Sequence, residues 1–137
     1  MSQVPIGVII PVAGTVYDFS QPRRMGDRIM SIDGGGAPGF NTNFMRSKTN
    51  GNLSLGSSPI AIAHDPVSGR TMTVSTNAPG VQFYTGNLLD ASNRAEPHLA
   101  FCLETQQAPD TVNQPQLGDV ILRPGQVYRH VVIHKFT

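Results

Sequence analysis

Tryptophan is absent from this 137-residue sequence and cysteine occurs once. One cysteine excludes an internal disulfide and suits a reducing compartment. Charge is scarce as well: 14% of residues are charged, and ten basic against nine acidic side chains leave a net charge of +1. Apart from Arg23-Arg24, the basic residues are scattered and no stripe interleaves them with aromatics. No nucleic-acid partner is therefore expected. No apolar run approaches membrane-spanning length, and Met1-Ser2-Gln3 opens nothing like a signal peptide. The expectation is a soluble, cytoplasmic protein with no membrane partner. What the chain does have is 39% hydrophobic residues, six Phe, three Tyr, 14 Gly and 11 Pro. That composition suits one domain over residues 1–137, built from short elements joined by many turns.

The dominant period is two. Residues 70–76, Arg-Thr-Met-Thr-Val-Ser-Thr, alternate apolar Met72 and Val74 with hydroxyl side chains, as a half-buried strand does. Residues 59–64 read as a second strand, and the turn residues of 65–69 join the two into a hairpin. Further strands are expected at 4–12, 39–45, 81–84, 98–104 and 119–122. Another is expected over 126–136, with Tyr128, Val132 and Phe136 on one face. Residues 20–32 lack a strand pattern and suit a short helix or turn, whereas 50–58 and 90–97 read as loops. Repeated strands with turn signals between them predict an all-β, antiparallel β-sandwich. The 4–12 segment is almost continuously apolar and invites pairing with something outside the chain.

Several ordered motifs carry a resemblance. Gly14-Thr15-Val16-Tyr17-Asp18-Phe19 comes first, followed by Gly39-Phe40-Asn41-Thr42-Asn43-Phe44. Next is Pro79-Gly80-Val81-Gln82-Phe83-Tyr84-Thr85-Gly86-Asn87. Phe101-Cys102-Leu103-Glu104-Thr105-Gln106 leads into Pro109-Asp110 and Asn113-Gln114-Pro115, and Leu122-Arg123-Pro124-Gly125 follows. In this order they resemble the C-terminal part of the aldose 1-epimerase (galactose mutarotase) family. The resemblance implies part of a galactose-mutarotase-like supersandwich. It implies a hexose as small-molecule partner and an activity that interconverts the α and β anomers of the free sugar. It implies no cofactor and no metal.

By that resemblance Glu104 is the general base, and Gln82 and Asn41 bind substrate. The residues suit these roles. A carboxylate ending an apolar strand is a setting in which partial burial favours proton transfer near neutral pH. A side-chain amide offers both a donor and an acceptor to sugar hydroxyls. The chain also departs from the family pattern: Asn41 stands where the family has aspartate, and Thr42 where it has histidine. The family's acid histidine lies in an N-terminal portion that this sequence does not match. His64, His98, His130 and His134 do not correspond to it, although His98 lies near Glu104 in sequence. The expectation is thus an epimerase part whose acid comes from a complementing chain or a second copy in a homo-oligomer. The alternative is a non-catalytic carbohydrate-binding or structural half-domain that self-associates. Cys102 is expected in the core, Arg23-Arg24 on the surface, and Gly34-Gly35-Gly36 in no phosphate loop, since no Lys-[Ser/Thr] follows.

Overall fold

The computed structural model describes residues 7–47, 58–90, 92 and 96–137. Among the described residues six strands form two antiparallel sheets: β1 (Asn41–Met45), β2 (Ala61–His64), β3 (Thr71–Thr76), β4 (Gly80–Tyr84), β5 (Cys102–Gln106) and β6 (Val132–Phe136). One sheet has the order β1-β4-β5 and the other β2-β3-β6. Helical structure among the described residues is limited to single 3₁₀ turns, including Met25–Asp27 and Ile29–Ser31 within the segment expected to turn. The all-β, antiparallel architecture is the one the sequence predicts.

The expected hairpin forms. Ala61 faces Val74 and His64 faces Thr71 in the β2–β3 register. Asp65 closes the turn by accepting from Val67 N, Ser68 N and Ser68 Oγ. Gly69 adopts φ 75°, a conformation that favours glycine. Along β3, Val74 is fully buried.

The principal core lies on the inner face of the β1-β4-β5 sheet. Strand alternation sends Thr42 and Phe44 of β1, Val81 and Phe83 of β4, and Leu103 of β5 to that face. Phe40, Phe83 and Ile32 form its buried centre, with Tyr17, Phe19, Met25 and Ile29 packed over them. The Phe40 and Phe83 rings stack at 4.8 Å, and Phe19 meets Phe83 edge-on at 5.8 Å. Arg28 holds the covering loop in place by donating through Nη1 to the carbonyls of Thr15 and Val16.

A buried polar chain joins the ends of β1 and β4. Phe40 N donates to Thr85 Oγ1 at 2.9 Å, Thr85 Oγ1 donates to Asn87 Oδ1 at 2.6 Å, and Asn87 Nδ2 donates to Phe40 O at 3.0 Å. The asparagine lies directly against Gly39, whose φ of 131° and lack of a side chain are both required there.

Four expectations are corrected. The described part of the 4–12 segment is not a strand, and Val8, Ile9 and Ile10 are exposed; residues 4–6 lie outside the described residues. Residues 119–122 are also unpaired, and Ile121 and Leu122 are exposed. Alternating apolar side chains supply one face of a strand, but a ladder needs a neighbour to receive its hydrogen bonds. Among the described residues neither segment has one. The 126–136 strand is shortened to β6, because Asn77 takes up the backbone before it: Asn77 Nδ2 donates to Arg129 O, and Val131 N donates to Asn77 Oδ1. Phe136 ends that strand 71% exposed. The 98–104 strand begins only at Cys102, since His98 turns through φ 67°. The expected loop at 50–58 falls outside the described residues except for Ser58.

Candidate functional site

The outer face of the β1-β4-β5 sheet brings together what the sequence holds far apart. In register, Asn43 faces Gln82 and Gln82 faces Glu104, so the three form one row across the strands. Strand spacing of about 4.8 Å sets Asn43 and Glu104 roughly 10 Å apart, with Gln82 between them. The next row is Asn41, Tyr84 and Cys102. Gln82 Nε2 donates to Asn41 Oδ1 at 2.8 Å, a diagonal bond that ties the two rows together. All three expected site residues, Glu104, Gln82 and Asn41, therefore share one face.

The surroundings correct two local expectations. Glu104 is exposed rather than partly buried, unlike Gln82 and Asn43 in the same row, which are half-buried. Cys102 is exposed too and not a core residue, since it shares the parity of Glu104 and lies beside Tyr84 on the outer side. Phe83, between Gln82 and Tyr84, is a core member of β4, as is Val81. Tyr84 turns outward, and its hydroxyl accepts from Leu88 N at 3.0 Å. Thr42 faces inward opposite Phe83, so its departure from the family pattern falls on the core side. Asn41 supplies an oxygen to Gln82, and that acceptor survives the departure from aspartate.

The histidines are engaged elsewhere. His98 Nδ1 lies 2.9 Å from Thr85 O and its backbone N–H donates to Gly86 O, which makes it a turn residue. His130 Nε2 lies 3.0 Å from Thr105 Oγ1 and links β5 to the approach to β6. His64 Nδ1 lies 2.9 Å from Thr71 Oγ1 across the hairpin, and His134 belongs to β6. Among the described residues no cluster of three or more His, Cys, Asp or Glu side chains could hold a metal ion. No helix there is long and apolar enough to cross a membrane.

Four aspartates of turns and loops have their acidity perturbed. The Ser20 hydroxyl, with the backbone N–H groups of Ser20 and Gly14, holds Asp18 down at about 2. Asp33 is lowered by the N–H groups of Gly35 and Gly36, and Asp65 chiefly by the Ser68 hydroxyl. Asp119 is lowered by Ile121 N–H and by Arg123, its ion-pair partner at 2.7 Å. A hollow of about 1080 Å³ lies between the end of β5 and residues 119–130 and does not include Glu104, Gln82 or Asn41. One sheet face provides one wall, and a row of side chains on it makes no enclosed cleft.

The aldose 1-epimerase family model matches residues 1–135. The chain belongs to the aldose 1-epimerase family. It is 41% identical to the galactose mutarotase of Rattus norvegicus over 140 residues, covering 98% of this chain and 39% of that protein. The Homo sapiens galactose mutarotase is 39% identical over the same shares of both. The maltose epimerase of Levilactobacillus brevis is 28% identical over 137 residues, covering 99% of this chain and 38% of the relative. The chain thus spans about two fifths of the length of the curated relatives it matches. The outer face also carries two residues that sequence reasoning did not count among its candidates, Asn43 and Tyr84. The signal for Asn43 was available in principle. A residue two positions from Asn41 on a strand must share its face.

Proposed function

We propose that this chain is the base-bearing part of an aldose 1-epimerase that binds and interconverts the α and β anomers of a free hexose. Glu104 acts as general base, and Gln82 and Asn41 hold sugar hydroxyls. The observation that carries this reading is the outer-face row, in which the carboxylate stands beside a glutamine whose amide is already fixed by Asn41.

In this reaction Glu104 takes the C1 hydroxyl proton while the ring oxygen receives a proton from an acid on the far side of the sugar. The bond from C1 to the ring oxygen breaks as the C1 carbonyl forms. The aldehyde turns about its bond to C2. Closure then reverses the proton transfers, with the ring oxygen attacking the other carbonyl face. Positioned proton transfers of this kind contribute on the order of 10²–10⁴-fold. The acid comes from a complementing polypeptide or a second copy, since the four histidines lie elsewhere or bond elsewhere. Exposed Val8, Ile9, Ile10, Ile121 and Leu122, on segments outside both sheets, offer such a partner apolar surface to cover. The cytoplasm is the location proposed with this reading, because a lone thiol stays reduced there.

Polarimetry of freshly dissolved α-galactose or α-glucose tests the proposal. It is run with the chain alone and with the chain plus the N-terminal three fifths of the rat galactose mutarotase. A rate above buffer that Glu104→Gln abolishes supports it, and no rate in either mixture overturns it. The exposure of Glu104 favours a second reading, a non-catalytic sugar-binding or structural half-domain that self-associates. Sugar binding by NMR titration without turnover, and a dimer by light scattering, would favour that reading.

A further inference from the structure

Two complementary polar atoms on the outer face have no hydrogen-bond partner although solvent does not reach them: Asn43 Nδ2, a donor, and Gln82 Oε1, an acceptor. The β1–β4 register sets these two residues directly opposite one another, at a spacing their side chains easily bridge. The other end of each amide is already placed. Gln82 Nε2 donates to Asn41 Oδ1. Asn43 Oδ1 lies over Gly80, 3.2 Å from where a Cβ would stand, and Met45 Sδ closes the same space. A buried donor without an acceptor is costly, and so is a buried acceptor without a donor. A small side-chain rotation that joins them removes both costs at once.

We propose that Asn43 is a positioning residue for Gln82, donating through Nδ2 to Gln82 Oε1 to complete an amide chain Asn43–Gln82–Asn41 across β1 and β4. The chain fixes the sense of the glutamine amide: its oxygen is directed to Asn43 and its nitrogen to Asn41. Gln82 then presents its second Nε2 hydrogen, a donor, to whatever lies over the row beside Glu104. That consequence rests on the sugar-binding reading of Gln82, whereas the amide chain itself does not. Gly80 belongs to the same device, because a side chain there would press on Asn43 and Met45.

The test is side-chain amide NMR of the free chain, with exchange rates read for the Gln82 and Asn43 NH₂ groups. Asn43→Asp keeps the shape over Gly80 but removes the donor. The expected result is exchange of the Gln82 amide about 5-fold faster and a displaced Nε2 resonance, as for loss of one neutral hydrogen bond. In the converse variant, Gln82→Ala, the Asn43 NH₂ signals move to free-amide positions. Met45→Leu perturbs the same patch without touching the amide chain and should leave the Gln82 signals in place. Unchanged Gln82 exchange and shift in folded Asn43→Asp would overturn the proposal. An equal displacement in Met45→Leu would also overturn it, by showing a general packing effect. No sugar enters this experiment, so failure of sugar binding in a separate titration removes the functional reading and leaves the amide chain standing.

Discussion

Removing the Asn87 side chain should cost this fold about 3 kcal/mol, although the residue touches no proposed substrate position. Asn87 is 3% exposed. Its Nδ2 donates to Phe40 O, and its Oδ1 accepts from Thr85 Oγ1. In Asn87→Ala both bonds are lost. Phe40 O keeps the Thr85 N–H as a donor, at 3.1 Å. The Thr85 hydroxyl still accepts from Phe40 N, but as a donor it keeps only a long contact of 3.5 Å to that same oxygen. Two net hydrogen bonds at about 1 kcal/mol each, plus partial desolvation of a stranded hydroxyl at about 1 kcal/mol, give the sum. For a domain of this size that is a fall in Tm of roughly 10 °C. Asn87→Asp keeps the volume but turns an oxygen toward Phe40 O and buries a charge, so it should cost at least as much. Urea and thermal unfolding followed by far-UV circular dichroism read both variants, the absence of tryptophan making fluorescence a poor probe. A loss below about 1 kcal/mol for Asn87→Ala would refute the reasoning, because the buried chain could not then be closed in solution. The effect bears on the site as well. Phe40 precedes Asn41 and Thr85 follows Tyr84, so this chain fixes the first rung of the β1–β4 register, on which the Gln82–Asn41 bond depends.

Phe40→Ala should destabilise by about 3–5 kcal/mol, since the ring is fully buried against Phe83, Phe19 and Tyr17; an unfolding midpoint within error of the parent would contradict that core. Asp18, held at about 2 and so well below the usual carboxylate range, contributes stability that is present above about pH 4 and is lost as pH falls through its folded value. Asp18→Asn should therefore lower the urea midpoint at pH 6, and its difference from the parent should shrink below about pH 4 and be mostly gone near pH 2. A difference that stays constant across that range would count against the Ser20 and Gly14 bonds as its source.

The pattern of the chain alone was enough for the strands whose neighbours lie within it. The alternation of Met72 and Val74, the turn chemistry of 65–69 and the Gln82–Phe83–Tyr84 alternation all survive, because each has a partner strand to complete its ladder. The motif order likewise led to the family, and the three positions it singled out, Glu104, Gln82 and Asn41, lie on one sheet face. Periodicity could not say whether the apolar runs at 4–12 and 119–122 would find a neighbour. A strand is a property of a pair, and local sequence reports only one member. Nor could it foresee the exposure of Glu104 and Cys102, which depends on what covers a face and not on what flanks a residue. Only the tertiary register set Asn43 opposite Gln82 and turned Thr42 inward. Which residues meet across strands is decided by pairing at long sequence separation, and a one-residue slip would exchange the two faces.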